Sequence, residues 1–128
     1  MENRYTKHGA FSWNELMTRD VEGAKRFYAE LFGWELTPFE GMDYNVVKAG
    51  GEEQGGIMPM PPGTPPQMPS TWNCYVTVDD VDKTVEKAKS LGGQVLFGPM
   101  DIPKVGRFCF LMDPQGAAIA VITYLPMA

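Results

Sequence analysis

The 128 residues are enough for one hydrophobic core and too few for two of ordinary size, so one domain with room for two halves is expected. Sixteen acidic against eleven basic residues leave a net charge of -5, and the basic side chains are scattered, which argues against nucleic acid as a partner. The opening MENRYTKHGA has no apolar stretch after its charges, and no run of roughly eighteen apolar residues follows anywhere. The expectation is therefore a soluble cytoplasmic protein with no membrane contact.

In chain order, Phe11 to Met17 has the length and aromatic content of a strand, and Asp20 sits where a helix N-cap belongs. Val21, Ala24, Phe27, Tyr28 and Leu31 follow at helical spacing, and Gly33 supplies the stop. Three short extended segments come next, Trp34 to Phe39, Tyr44 to Ala49 and Gly56 to Met60, separated by Glu40-Gly41 and Gly50-Gly51 turns. Pro61 to Pro69 is too rich in proline for a helix or a central strand and reads as a linker, with a lid as the alternative.

The pattern then repeats. Asp20-Val21, Leu31, Gly33 and Leu36 recur sixty positions later as Asp80-Val81, Leu91, Gly93 and Leu96 without a gap. Trp72 to Val78 is the second strand, and Val81 to Leu91 the second helix, burying Val81, Val85, Ala88 and Leu91. Gln94 to Phe97, Arg107 to Met112 and Ala118 to Tyr124 are the closing strands, the last preceded by an Asp113-Pro114-Gln115-Gly116 turn. The fold class is thus α+β, a βαβββ unit twice over. Module one covers about 8–60, the proline-rich linker 61–70 and module two about 71–125, all within a single domain, 1–128. Cys74 and Cys109 lack the spacing of a zinc site or a redox pair and are expected to be small buried side chains.

Asp-Val opening each helix, Phe27-Tyr28, Leu31-Phe32-Gly33-Trp34 and Asp113-Pro114-Gln115-Gly116, in this order, resemble the vicinal-oxygen-chelate superfamily of glyoxalases, bleomycin-resistance proteins and extradiol dioxygenases. The likeness runs from about Ser12 to Tyr124. Trp13-Asn14-Glu15-Leu16 with Asp20 is similar to a branch of short glyoxalase-related proteins labelled hydroxylases. The resemblance implies a cupped mixed sheet with helices on its convex side and a ligand cavity between the modules. Because strand side chains alternate, Asn73, Tyr75 and Thr77 would face that cavity, while Trp72, Cys74, Val76 and Val78 would face the helix. The repeat places Trp13, Glu15 and Met17 at the matching inward positions of module one.

Metal-dependent members of that superfamily hold a divalent ion with His, Glu or Gln from the first and last strand of each module. Those positions map here to Trp13, Met58, Asn73 and Ala120. Tryptophan offers only an N–H, alanine nothing, methionine suits soft ions, and asparagine is one weak oxygen ligand. His8, the sole histidine, precedes the first strand and reads as a surface residue. The expectation is no cofactor and no conventional metal centre, against glyoxalase and dioxygenase chemistry that depends on one.

Two carriers of chemistry remain. Glu15, flanked by Trp13 and Met17 on its strand face, is a candidate general base or a partner for a ligand cation; the alternative is an inter-module hydrogen bond. Tyr75 offers a hydroxyl beside Asn73, and Phe108, Phe110 and Met112 alternate along one face that is either pocket lining or core. Arg107 and Lys48 read as solvated charges. Three functions stay open. One is a binder of a small aromatic or amphipathic molecule. Another is a metal-independent isomerase, epimerase or lyase with Glu15 as base and Tyr75 or Asn73 as hydrogen-bond donors. The third is a subunit serving assembly alone. A two-fold homodimer is the default assembly.

Overall fold

The structure, a computed structural model, describes residues 3–126. Its elements run β1 (Phe11–Thr18), α1 (Val21–Phe32), β2 (Glu35–Pro38), β3 (Asn45–Ala49), β4 (Glu52–Pro59), β5 (Thr71–Thr77), α2 (Val81–Ser90), β6 (Gln94–Ile102), β7 (Gly106–Met112) and β8 (Ala118–Tyr124). This is the expected βαβββ order, twice. The chain divides into two compact units, residues 13–73 and residues 3–12 with 74–126.

In the first unit the strands lie in the order β2-β3-β4-β1, with β4 and β1 parallel and the other neighbours antiparallel. The second unit repeats this as β6-β7-β8-β5, with β8 and β5 parallel. Both helices start on an aspartate. Asp20 Oδ1 accepts from Gly23 N at 2.9 Å and Asp80 Oδ1 from Lys83 N at 3.1 Å, each satisfying an amide that has no partner within its helix. Helix α1 ends on Gly33 at φ 73°, whose N–H reaches Ala29 O.

Each helix packs on one face of its own sheet. Under α1 lie buried Leu16, Val47 and Ile57, with Val21, Ala24, Tyr28, Trp34 and Leu36 packed against them. Under α2 lie Val78, Val81, Val85, Cys109, Leu111 and Val121, joined by Ala88, Val95 and Ile119. Three expectations need correction. Phe27 and Leu31 are 59% and 56% exposed, and Leu91 is 69% exposed, because the sheet-facing stripe runs through Val21, Ala24 and Tyr28 in α1 and through Val81, Val85 and Ala88 in α2. Cys74 is exposed while Cys109 is buried. Strands β4 and β6 outrun the predicted segments: β4 takes in Gln54 at a register shift, and β6 continues past Phe97 through the Gly98-Pro99 pair by shifting register against β7.

The proline-rich segment is tied to its own unit. Arg19 donates to Pro65 O at 2.8 Å and also to Met68 O, and Ser70 Oγ donates to Thr18 Oγ1 at 2.9 Å. The N-terminal residues belong to the second unit. Gly9 N donates to Thr77 O (2.7 Å), Thr77 N to Ala10 O (2.8 Å), and Ser12 Oγ shares a hydrogen bond with Tyr124 Oη (2.8 Å). His8 is exposed, as expected, and its Nδ1 accepts from Asp79 N at 2.9 Å. Arg107 is not simply solvated: it bridges Asp82 (3.0 Å) and Asp101 (3.2 Å), and these two bonds, Asp82 first, raise its already high pKa.

Candidate functional site

Because Leu16 and Ile57 point at α1, strand alternation turns Trp13, Glu15 and Met17 to the opposite face of the first sheet. The parallel register sets Glu15 against Gly56 and Met17 against Met58. Glu15 is only 6% exposed, an acid held on a face of methionines and aromatic rings. Gly56 has no side chain for a reason: a Cβ there would lie 2.1 Å from the ring of Tyr44. The Tyr44 ring therefore lies over the strand, and its hydroxyl accepts from Trp13 Nε1 at 2.7 Å. Sequence reasoning missed Tyr44, placing it only at a strand start. The Gly55-Gly56 pair inside a strand was the available signal, since a strand glycine marks close approach by another group.

On the second sheet, Cys109, Leu111 and Val121 face α2, so Phe108, Phe110 and Met112 face away from it. Tyr75 lies opposite Ala120 and belongs to the same face. Its ring meets Phe110 edge-on at 5.7 Å, Phe110 meets Phe108 at 5.7 Å, and Phe108 meets Phe97 at 6.0 Å. The result is one continuous aromatic row. Phe97, half exposed, was missed because the sequence pattern ended its strand at that residue. Asn73 stands two residues before Tyr75 on the same side of β5. Its Nδ2 is buried and has no hydrogen-bond partner among the described residues.

The four positions mapped to a metal do not fit one. In register, Gly56 stands opposite Glu15, Met58 opposite Met17 and Ala120 opposite Tyr75; glycine and alanine offer no side-chain donor, and methionine only a soft thioether. Trp13 has only its N–H, already donated to Tyr44, and Asn73 alone is a weak ligand. Among the described residues no three His, Cys, Asp or Glu side chains gather as a metal cluster. A cleft of about 540 Å³ elsewhere on the second unit is ringed by carboxylates, but Asp80 caps α2 and Asp82 and Asp101 hold Arg107.

Two βαβββ units, each with a helix on one face of a four-stranded mixed sheet, define a class of folds. Residues 10–121 match the model of the Glyoxalase/Bleomycin resistance protein/Dioxygenase superfamily, and the chain belongs to that family. The "Putative glyoxylase CFP32" of Mycobacterium tuberculosis is 43% identical over 119 residues, covering 90% of this chain and 46% of the relative. The anthracycline biosynthesis protein DnrV of Streptomyces peucetius is 33% identical over 128 residues, covering 88% of this chain and 46% of the relative. The chain thus spans about half the length of these relatives. Methylmalonyl-CoA epimerase from Mycobacterium tuberculosis has the same fold, with a TM-score of 0.68 at 14% identity over 94% of this chain and 92% of that one. No helix among the described residues is long and apolar enough to cross a membrane.

Proposed function

We propose that the protein binds a small, flat aromatic or amphipathic molecule on the sheet face turned away from α2, without a metal. The observation that carries this reading is the row Phe97, Phe108, Phe110 and Tyr75 on one face of the second unit's sheet. An apolar wall with one or two placed polar groups is how small-molecule sites achieve both affinity and orientation. Relatives named for anthracycline biosynthesis, 33% and 32% identical, suit a polycyclic aromatic ligand.

The test is a thermal-shift and fluorescence titration with planar polycyclic compounds bearing a carbonyl, such as anthraquinones. A ligand that prefers the folded state raises its melting temperature. Phe110→Ala should weaken binding about tenfold, the loss of one ring contact and its buried area. Unchanged affinity in that variant, or no stabilisation by any such compound, would overturn the reading.

A second reading is favoured by the burial of Glu15 against Gly56. In it, Glu15 takes a proton from a carbon acid, giving an isomerase, epimerase or lyase reaction. Glu15→Gln would then lower turnover by about a hundredfold or more while sparing affinity. Full turnover in Glu15→Gln sinks this second reading and leaves the first intact.

A further inference from the structure

The aromatic row of the second unit runs along a face with no charge of its own. Strands β5 to β8 carry only two charged side chains, Asp101 and Arg107, and both turn towards α2, where Asp82 joins them. The opposite face, with Phe97, Phe108 and Phe110, therefore receives neither acid nor base from its strands, although the chain bears a net charge of -5. Past the end of β5, Asp79 is exposed beside His8 and lines the same cleft as Asp82 and Arg107.

A cation is nonetheless brought to one end of this face by the N-terminal residues, which belong to the same unit. Along β8, Ala120 stands opposite Phe110 and Ile122 opposite Phe108; Tyr124 comes one alternation later, roughly 7 Å further on. Tyr5 meets the Tyr124 ring edge-on with centroids 5.2 Å apart. The Arg4 guanidinium donates to Tyr5 Oη at 2.8 Å and lies 5.0 Å from the centre of that ring. The backbone is anchored too. Thr77, beside Ile122 in the sheet, donates its Oγ1 to Arg4 O at 2.5 Å, and the Ser12 hydroxyl fixes Tyr124 Oη. Arg4 and Tyr5 are half-buried, whereas Asn3, Thr6, Lys7 and His8 around them are exposed. A guanidinium is planar, has five N–H donors and can serve several acceptors at once, which suits it to a carboxylate.

We infer that the ligand of this face is an aromatic acid, its rings lying on Phe97, Phe108 and Phe110 and its anionic group directed to Arg4. The inference rests on the binding reading given under the proposed function and narrows it, selecting flat molecules that carry a carboxylate at one edge. A cationic ligand would find no strand carboxylate on this face, and a neutral one would gain nothing from the guanidinium charge. Away from bulk water, a charge-assisted hydrogen bond is about twice as strong as a neutral one.

Three anthraquinones that differ only in one substituent test this by fluorescence titration of the whole chain: the 2-carboxylate, the neutral 2-hydroxymethyl compound and the cationic 2-aminomethyl compound. The carboxylate is expected to bind about tenfold tighter than the hydroxymethyl compound, and to lose that advantage as salt rises. Arg4→Gln should remove the preference, so that the two bind alike. Lys83→Gln, which takes an exposed charge from α2 on the other side of the sheet, should keep it. Equal affinity for all three compounds overturns the inference but leaves the row as a binding surface, and so does a preference that survives Arg4→Gln or disappears in Lys83→Gln. Failure of all three to bind overturns the row as a site, and the inference with it. The comparison of compounds on the unaltered chain stays decisive if Arg4→Gln fails to fold.

Discussion

Gly56 decides what the face around Glu15 looks like. Any side chain there would occupy the space of the Tyr44 ring, and Tyr44 is what holds the Trp13 indole by its N–H. Gly56→Ala should therefore cost about 1–3 kcal/mol in urea unfolding, the usual penalty for overpacking, and should alter tryptophan fluorescence through Trp13. The two cysteines differ just as sharply. Burial, the largest cause, pushes the Cys109 thiol up from its ordinary value of 9.0, with Asp82 adding to the shift and Arg107 and Lys89 opposing it. A thiol reagent should accordingly label one cysteine, Cys74, in the native protein and the second only after denaturation. A raised folded-state pKa also fixes the sign of a pH effect. The stabilisation from keeping Cys109 neutral is present in full below 9.0 and lost as pH rises towards the folded value, so Cys109→Ala should show a shallower alkaline loss of stability.

Secondary structure was legible where local chemistry governs it. Asp20 and Asp80 announced both helices because a side-chain acceptor at that position answers a need of the backbone alone. Asp20→Ala should cost about 1 kcal/mol, measurable as a lower urea midpoint with an unchanged slope. The face assignments of Trp13, Glu15, Met17 and Tyr75 were legible too, and so was the shared face of Phe108, Phe110 and Met112, since alternation along a strand is geometric. What escaped depended on partners distant in sequence. Tyr44 needed the knowledge that β4 runs beneath it, Phe97 that β6 continues past a proline, and the exposure of Phe27, Leu31 and Leu91 which part of each helix's apolar face meets the sheet. Helical periodicity says which side chains could be buried. It does not say how much surface waits for them.

At the scale of the molecule, family membership and donor chemistry point in different directions. The chain belongs to a superfamily that includes dioxygenases, yet Trp13, Met58, Asn73 and Ala120 offer between them no strong oxygen or imidazole ligand for a divalent ion. Protein purified without chelator should contain no stoichiometric iron, manganese, nickel or zinc by elemental analysis; one equivalent of any of these would show that other residues form a centre.

The attachment of residues 9–12 to the second unit sets an order of events during synthesis. Residues 13–73 can complete their contacts once they have left the ribosome. The segment that pairs with Thr77 and Tyr124 emerges before both and must wait until Tyr124 has followed, since Ser12 and Tyr124 are separated by 112 positions. Closing so long a loop is slow and entropically costly, so residues 9–12, made before the first unit, settle after it. A cut at the sequence-repeat boundary would for the same reason yield a second half in which Thr77 N–H and C=O have lost their partners. The unit of repetition and the unit of folding are not the same stretch of chain.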